Sequence, residues 1–298
     1  MSQISLTAEN TLPDGGLTGC FVGRAWLPGD WGGPTPVLVS DEGVFDLLSV
    51  APTLSGLLAM DDPAAAALGG KGVRLGDVEA MLANSAHNNQ DPDQSYFLAP
   101  ADLQALKACG VTFVSSMLER VIEEQAKGDP DKAAEIRDAI GAEIGQSLAD
   151  ITPGSEEAAR VKAVLEEQGL WSQYLEVGIG PDAEVFTKSQ PMAAVGMGAE
   201  IGIHPKSTWN NPEPEIVLAI APDSRVVGAC LGNDVNLRDF EGRSALLLGK
   251  AKDNRASCAV GPFIRLFDDG FNLDHVRAMD ISLSVSGTDG FELQGSSS

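Results

Sequence analysis

Two glutamates and one aspartate are the residues whose types and spacing most clearly allow metal chemistry. Glu213 and Glu215 lie two positions apart at the start of the apolar run 216–220, and Asp234 follows after a turn and a second apolar run. Side chains at positions i and i+2 of a strand point to the same face, so the two glutamates can converge on one cation, with Asp234 closing the site from a neighbouring element. Oxygen ligands of this kind suit a hard ion such as Mg²⁺.

The glutamate pair alone is weak evidence for a metal site. With 43 acidic residues in 298 positions, roughly six acidic pairs at this spacing are expected by chance. The apolar residues that follow, Ile-Val-Leu-Ala-Ile, strengthen the case for a metal site, because they place the pair at the start of a buried strand. Asp234 stands in Gly-Asn-Asp, which is equally good turn chemistry. From the residues alone, a structural role for Asp234 stays open.

The composition narrows the class of protein and of partner. Hydrophobic residues make up 43% of the chain and charged residues 21%, values typical of a globular protein. The net charge of −23 argues against nucleic-acid binding and against docking on an anionic membrane surface. No run of 18 apolar residues predicts a membrane span. The four cysteines are far apart and form no CxxC pair, and no signal peptide is evident, so we expect reduced thiols in a cytoplasmic protein.

Three stretches of different character must position these residues. Residues 1–110 are rich in Gly and Pro around short apolar runs, which predicts a small β-rich N-terminal domain. Residues 115–170 predict a helical segment, with an apolar residue every fourth position from Ile136 to Leu148. Ser155 is the expected N-cap of its last helix and Gly169 the residue that ends it. Strand-like runs return from Leu175–Ile179 onward, so we assign 111–298, with the helical segment, to one larger domain.

The segment 198–239 resembles the fumarylacetoacetate hydrolase family, and most closely its sugar-acid branch, the 2-keto-3-deoxy-pentonate dehydratases. Glu-Pro-Glu (213–215) followed by Gly-Asn-Asp-Val-Asn-Leu-Arg-Asp (232–239) carries the resemblance, which covers at least residues 176–266. It implies an α+β, mostly β fold: a β-roll or barrel catalytic domain, a smaller β-rich N-terminal domain and a helical segment between them. It also implies Mg²⁺, with Mn²⁺ or Ca²⁺ as substitutes, a small 2-oxo acid substrate, and a homodimer or homotetramer.

The resemblance also implies roles for individual residues. Glu213, Glu215 and Asp234 match the family's metal ligands. Lys252 matches the catalytic lysine of the dehydratase branch, and Glu184 matches its catalytic glutamate.

The candidate substrate-binding residues come from three separate segments. Ser116 and Arg120 fall where the family has a serine and an arginine near the substrate. Lys188 and Arg238 complete this group. For Arg238 we favour a bracing role, through an ion pair with Asp234 or Asp239.

Three functions stay open at this level. The first is dehydration of a 2-keto-3-deoxy pentonate, in which Lys252 removes the C3 proton and Glu184 protonates the departing C4 hydroxyl. The second is hydrolysis of a C–C bond in a 2,4-diketo acid, for which none of His87, His204 and His275 stands in a convincing water-activating position. The third is an inactive metal-binding scaffold, because family members usually continue beyond the position of Ser298 and the end of the barrel is expected to be missing.

Overall fold

The computed structural model of the protein describes residues 4–30, 32–110, 134, 136, 151–167, 169, 171 and 173–297. The chain forms two compact units, one made of Met1–Leu106 with Thr187–Ser298 and the other of Lys107–Phe186. Most of the predicted helical segment lies outside the described residues, including its apolar stripe after Ile136 and the candidates Ser116 and Arg120. The predicted domain boundary at residue 110 stays a prediction.

The first unit is built on one antiparallel sheet of eight strands. Its strand order is β4-β3-β2-β1-β12-β10-β9, and β5 also pairs with β1. Strands from the N-terminal and C-terminal parts of the chain therefore share one sheet, as β1 pairs with β12. The strands of both units are β1 (Phe21–Leu27), β2 (Gly33–Ser40), β3 (Gly43–Asp46), β4 (Arg74–Gly76), β5 (Tyr96–Leu98), β6 (Leu106–Cys109), β7 (Val185–Ser189), β8 (Asn210–Asn211), β9 (Pro214–Ile220), β10 (Val226–Asp234), β11 (Asn236–Leu237), β12 (Cys258–Leu266), β13 (Ile281–Ser286) and β14 (Glu292–Ser297).

The centre of this sheet is buried on both faces. Val37 and Val39 of β2 pack with Phe263 on one side, whereas Leu38 packs with Leu57 on the other. Successive side chains of a strand point to opposite faces, so a strand covered on both sides must be apolar without alternation. The run Pro-Val-Leu-Val in β2 satisfies that requirement.

Short helices cover the sheet and connect its strands. Within the described residues, the helices of the first unit are α1 (Ala8–Thr11), α2 (Leu54–Leu58), α3 (Pro63–Gly69), α4 (Val78–Ala83), α7 (Arg238–Glu241), α8 (Leu248–Lys252) and α9 (Leu273–Arg277), and those of the second unit are α5 (Glu156–Glu167) and α6 (Gln173–Ile179). Thr53, Asp62 and Asp77 cap α2, α3 and α4 by accepting a backbone N–H with the side chain. Of the helices in these ranges, none is both long enough and apolar enough to cross a lipid bilayer.

The structure of the second unit confirms one helix prediction and corrects one strand prediction. Ser155 Oγ accepts the Ala158 N–H at 3.1 Å at the start of α5, and Gly169 has a φ of 68° just after its end. The predicted N-cap and terminating glycine are therefore confirmed. The predicted strand Leu175–Ile179 is wrong, because this segment lies in α6. Leu175 and Ile179 are both buried, and residues four apart lie on one face of a helix. A short apolar run therefore fits a buried helix as well as a buried strand.

The last two strands form a hairpin. Strands β13 and β14 pair from Ile281 opposite Ser297 to Ser286 opposite Glu292. The sequence predicts a strand that stops after Leu293, and this prediction is wrong. Pairing with β13 extends the strand through Ser297, because strand pairing needs no apolar side chain at those positions.

A buried ion pair joins the sheet to helix α2 and yields a stability prediction. Arg24 and Asp102 are 6% and 5% exposed, with Arg24 Nε 3.8 Å from Asp102 Oδ2. The Asp102 carboxylate also accepts the backbone N–H groups of Leu54 and Ser55 at 2.7 and 3.0 Å. Burial raises the pKa of Asp102, but its hydrogen bonds from Ser55 and from backbone N–H groups outweigh burial and hold that pKa below its ordinary value.

We expect Asp102→Asn to lower the free energy of unfolding by about 3 kcal/mol at pH 7, because it leaves Arg24 buried without its counter-charge. The folded-state pKa of Asp102 is depressed, so its contribution is complete above about pH 4 and is lost as the pH falls further. Urea unfolding at pH 7 and pH 3 measures both effects. Asp93→Asn, at an exposed aspartate, is the control. Equal losses at the two pH values would contradict the prediction.

Candidate metal centre

The pairing of β9 with β10 brings three carboxylates together. The start of β9 lies beside the end of β10, with Pro214 opposite Asn233 and Glu215 opposite Gly232. The Asp234 N–H donates to the Glu213 carbonyl at 2.9 Å, which closes the same end of the ladder. One carboxylate oxygen from each of Glu213, Glu215 and Asp234 lies within 4.8 Å of the others. The three acids therefore converge, as their spacing predicts, and they could hold a metal ion.

Two buried lysines contact this cluster. Lys252 ends α8 and is 4% exposed, and Lys188 in β7 is 2% exposed. Lys252 Nζ donates to Glu213 Oε2 and lies 3.0 Å from Asp234 Oδ2, whereas Lys188 Nζ lies 2.8 Å from Asp234 Oδ1. Each side of the Asp234 carboxylate thus faces one ammonium group.

The charges of the cluster are not balanced by these lysines. Three carboxylates face two ammonium groups, and Glu215 makes neither of the lysine ion pairs just described. Burial, and then the charges of Asp234 and Glu213, raise the pKa of Glu215 to about 7 against the opposing effect of the two lysines. A cation among these oxygens would relieve the repulsion. Three carboxylate oxygens and a deficit of positive charge fit a hard divalent ion such as Mg²⁺.

The state of Lys252 depends on the same carboxylates. Burial lowers the pKa of Lys252, but the charges of Glu213 and Asp234 outweigh burial and hold it above the ordinary value. In this arrangement Lys252 is an ammonium group and not a base. Burial alone therefore does not provide the lowered pKa expected of a catalytic lysine. A cation that engages both carboxylates would withdraw that support and lower the pKa.

Two asparagines and a fourth acid surround Glu213. Asn236 Nδ2 donates to Glu213 Oε1 at 3.0 Å and to Glu241 Oε2 at 2.7 Å, and Asn211 Nδ2 donates to Glu213 Oε1 at 3.2 Å. The sequence analysis did not identify these three residues. The available signal was position, since Asn236 follows Asp234 by two residues and Asn211 precedes Glu213 by two.

Arg238 braces a different acid from the two that we expected. Its Nη1 lies 2.6 Å from Glu241 Oε2, three residues along α7, so the predicted pairing with Asp234 or Asp239 is wrong. The helical spacing i, i+3 makes Glu241 the nearer partner. Asp239 instead accepts hydrogen bonds from Ser207 Oγ at 2.8 Å and from the Thr208 N–H at 3.0 Å.

The remaining candidates lie in other places. Glu184 belongs to the second unit, where its carbonyl accepts the Gly110 N–H at 2.9 Å. His87 is exposed, with Nε2 3.5 Å from Glu200 Oε2, and His204 packs against Phe240. Within the described residues, no hydrogen bond or ion pair joins these histidines or His275 to the three carboxylates. The arrangement thus offers a lysine, and no histidine, beside the cluster.

Comparisons with known proteins agree with the resemblance found in the sequence. The chain is 35% identical over 120 residues to a probable 2-keto-3-deoxyxylonate dehydratase of Haloferax volcanii, an alignment covering 40% of each chain. It is 31% identical over 102 residues to a 2-dehydro-3-deoxy-D-arabinonate dehydratase of Saccharolobus solfataricus, covering 34% of this chain and 33% of that one. The predicted resemblance to 2-keto-3-deoxy-pentonate dehydratases is confirmed. No family model matches the chain.

A solved structure supports the fold. A 2-keto-3-deoxy-D-arabinonate dehydratase complexed with magnesium and 2,5-dioxopentanoate aligns with a TM-score of 0.59 at 17% identity, over 93% of this chain and 76% of the other. At this identity the likeness concerns the fold, which is the mostly β, antiparallel architecture expected from the sequence. The curated relatives are named as dehydratases, which are lyases, and the alignments span well under two thirds of their lengths.

The carboxylate cluster generates a pH prediction for the metal-free protein. The folded-state pKa of Glu215 is raised to about 7, against about 4.3 for an unfolded chain. The stabilising contribution of protonated Glu215 is therefore complete below about pH 4 and is lost as the pH rises through 7. In EDTA we expect wild type to lose stability relative to Glu215→Gln between pH 5 and pH 9, as measured by urea unfolding.

Glu9→Gln, at an exposed glutamate far along the chain from the cluster, controls for general charge effects in that experiment. Saturating MgCl₂ should remove the loss at pH 9 in wild type, because the cation stabilises the ionised carboxylate. Parallel pH profiles for wild type and Glu215→Gln would contradict the raised pKa of Glu215.

Proposed function

We propose that this chain carries the catalytic site of a Mg²⁺-dependent dehydratase of 2-keto-3-deoxy sugar acids, and of pentonates in particular. The observation that carries the proposal is the contact of Lys252 with two members of the carboxylate cluster, Glu213 and Asp234. This places a potential base directly beside a potential cation site. The names of the curated relatives support the same reaction class.

In this proposal Glu213, Glu215 and Asp234 are the metal ligands. Mg²⁺, when bound, would polarise the carboxylate and C2 carbonyl oxygens of a 2-oxo acid and so make its C3 proton more acidic. The protein supplies the ligand positions through the β9–β10 ladder, which also holds the three acids in place when the cation is absent.

Lys252 is the proposed base for the C3 proton. Lys252 is 4% exposed and its Nζ lies between two carboxylates, so its proton affinity responds to whatever those carboxylates bind. Lys188, which the sequence suggested as a substrate-binding residue, has a different proposed role. Its Nζ contacts Asp234 and also donates to the Val235 carbonyl at 2.9 Å and to Ser257 Oγ at 3.3 Å. We assign Lys188 to positioning Asp234.

The remaining proposed roles come from the resemblance to the dehydratases. Glu184 is the proposed acid that protonates the C4 hydroxyl, which departs as water as the C3 proton passes to Lys252. The resulting unsaturated 2-oxo acid would tautomerise to a 2,5-dioxo acid when the substrate is a pentonate. Ser116 and Arg120 stay proposed substrate contacts, whereas Arg238 is proposed to brace Glu241. The homodimer or homotetramer stays a prediction.

A substrate test decides between the reaction classes. The chain is incubated with MgCl₂ and a 2-keto-3-deoxy pentonate, and we expect a 2,5-dioxo acid by NMR, with no product in EDTA. A parallel incubation with an acylpyruvate should give no pyruvate. Cleavage of the acylpyruvate without dehydration of the pentonate would replace the lyase proposal by a hydrolase. Absence of both activities, with Mg²⁺ bound, would favour the metal-binding scaffold.

Lys252→Ala tests the base. We expect it to lower exchange of the C3 proton with solvent deuterium by about 10²–10⁴-fold, because a positioned base is lost. Lys250→Ala is the matched control, since Lys250 is an exposed lysine of the same short helix. Mg²⁺ affinity, measured by calorimetry, should persist in both variants. Exchange that survives in Lys252→Ala would remove Lys252 from the mechanism.

Glu184→Gln tests the acid. We expect this variant to retain C3 exchange and to lose dehydration, because the C4 hydroxyl then departs without a proton donor. Asp182→Asn, two residues earlier and exposed, is its control. Unimpaired dehydration by Glu184→Gln would exclude it as the acid.

A further inference from the structure

The two oxygens of the Glu213 carboxylate have different surroundings. Glu213 Oε1 accepts the side-chain amides of Asn236 at 3.0 Å and Asn211 at 3.2 Å. Glu213 Oε2 contacts only Lys252 among the hydrogen bonds and ion pairs of the described residues. We infer that Asn236 and Asn211 restrict Glu213 to one ligand oxygen, Oε2, and that this makes the site prefer Mg²⁺ to Ca²⁺. The inference rests on the proposed metal site and names the residues that set its selectivity.

The two amides reach the same oxygen because their backbones are paired. Asn236 of β11 lies directly opposite Asn211 of β8 in a short antiparallel ladder. Side chains of directly opposed residues lie on the same face of such a ladder. A carboxylate oxygen has two lone-pair positions, and two N–H donors occupy both of them. Oε1 therefore has no position left for a cation unless an amide moves.

Other contacts hold Asn236 in this orientation. Asn236 is fully buried, and its Nδ2 also donates to Glu241 Oε2 at 2.7 Å, an acid that Arg238 contacts at 2.6 Å. Its Oδ1 is buried and has no hydrogen-bond partner among the described residues. Turning the amide over would place that oxygen against two carboxylates. Asn236 is thus held as a donor toward Glu213, even though its own oxygen goes unsatisfied.

The two ions differ in the ligands that they need. Mg²⁺ requires compact octahedral geometry and keeps several waters, so single oxygens from a few carboxylates suffice. Ca²⁺ takes six to eight oxygens and commonly uses both oxygens of a carboxylate. A glutamate that binds only through Oε2 still meets the needs of Mg²⁺, whereas Ca²⁺ loses one of the carboxylate oxygens that it commonly binds. Asn236 and Asn211 are accordingly positioning residues for the cation and do not touch the reacting atoms.

Calorimetric titration of the full chain with MgCl₂ and with CaCl₂, in the absence of substrate, tests the inference. We expect wild type to bind Mg²⁺ more tightly than Ca²⁺. Asn236→Leu should reduce the ratio of the Mg²⁺ affinity to the Ca²⁺ affinity by about tenfold, because it frees Oε1 for Ca²⁺, and partners of metal ligands typically change metal affinity 10- to 100-fold. Asn211→Leu should shift the ratio in the same direction. It removes the second amide donor to Oε1, at a residue less buried than Asn236, and it provides the test if Asn236→Leu does not fold.

Asn84→Leu is the matched control. Asn84 is a buried asparagine whose amide donates to the carbonyls of Asp91 and Ser95 at 3.0 and 3.2 Å, with none of the three carboxylates as a partner. We expect it to lower stability and to leave the affinity ratio unchanged. Circular dichroism and urea unfolding establish which variants are folded at the titration temperature.

The outcomes separate this inference from the proposed function. Wild type that binds neither ion overturns the metal site and this inference together. Wild type that binds Mg²⁺ without preferring it to Ca²⁺, or folded Asn236→Leu and Asn211→Leu variants with unchanged ratios, overturns the inference alone. An equal change of ratio in Asn84→Leu also overturns it, because the effect would then follow from lost stability and not from the amides at Glu213.

Discussion

The pairing of β9 with β10 is the constraint on which the rest of this site depends. It sets Glu213 and Glu215 beside Asp234 at one end of the β9–β10 ladder. On its other edge β10 pairs with β12, which pairs with β1 at the centre of the sheet. Strand β10 is paired on both edges, so the carboxylates cannot move apart without breaking backbone hydrogen bonds. Their mutual repulsion is therefore a property of the fold, which a bound cation would relieve.

The two buried lysines make this arrangement tolerable without a metal ion. Buried ionic groups are costly unless they are paired, and Lys188 and Lys252 each contact Asp234. They differ in what else they bind. Lys188 is also held by the Val235 carbonyl and Ser257, whereas Lys252 also contacts Glu213, a proposed metal ligand. Lys252 therefore contacts two of the three proposed ligands, and a cation bound to both would lower its proton affinity.

A chain of hydrogen bonds orients the proposed metal ligand Glu213. Arg238, Glu241 and Asn236 form a chain of contacts that ends at one oxygen of Glu213. Groups that contact a ligand, and not the metal itself, commonly set ligand orientation and metal affinity. In this protein they come from β11 and α7, directly after β10, so strand, ligand and supporting contacts lie in one continuous stretch of chain.

Local patterns in the sequence determined the strands, the helix caps and the acidic residues that converge. The apolar run 216–220, the cap at Ser155 and the i, i+2 spacing of Glu213 and Glu215 are all patterns of residues close together in the sequence. Where one local pattern fits two structures, prediction failed, as in Leu175–Ile179, which is a helix.

Only the tertiary structure decided which charges meet. The ionised state of Lys252 and the occupied oxygen of Glu213 depend on groups brought together by strand pairing, such as Asn211 opposite Asn236. Such contacts join residues that are distant along the chain, and their energies depend on burial, which residue spacing does not encode. The sequence by itself determined that three acids and a lysine were available, and the fold decided how their charges balance.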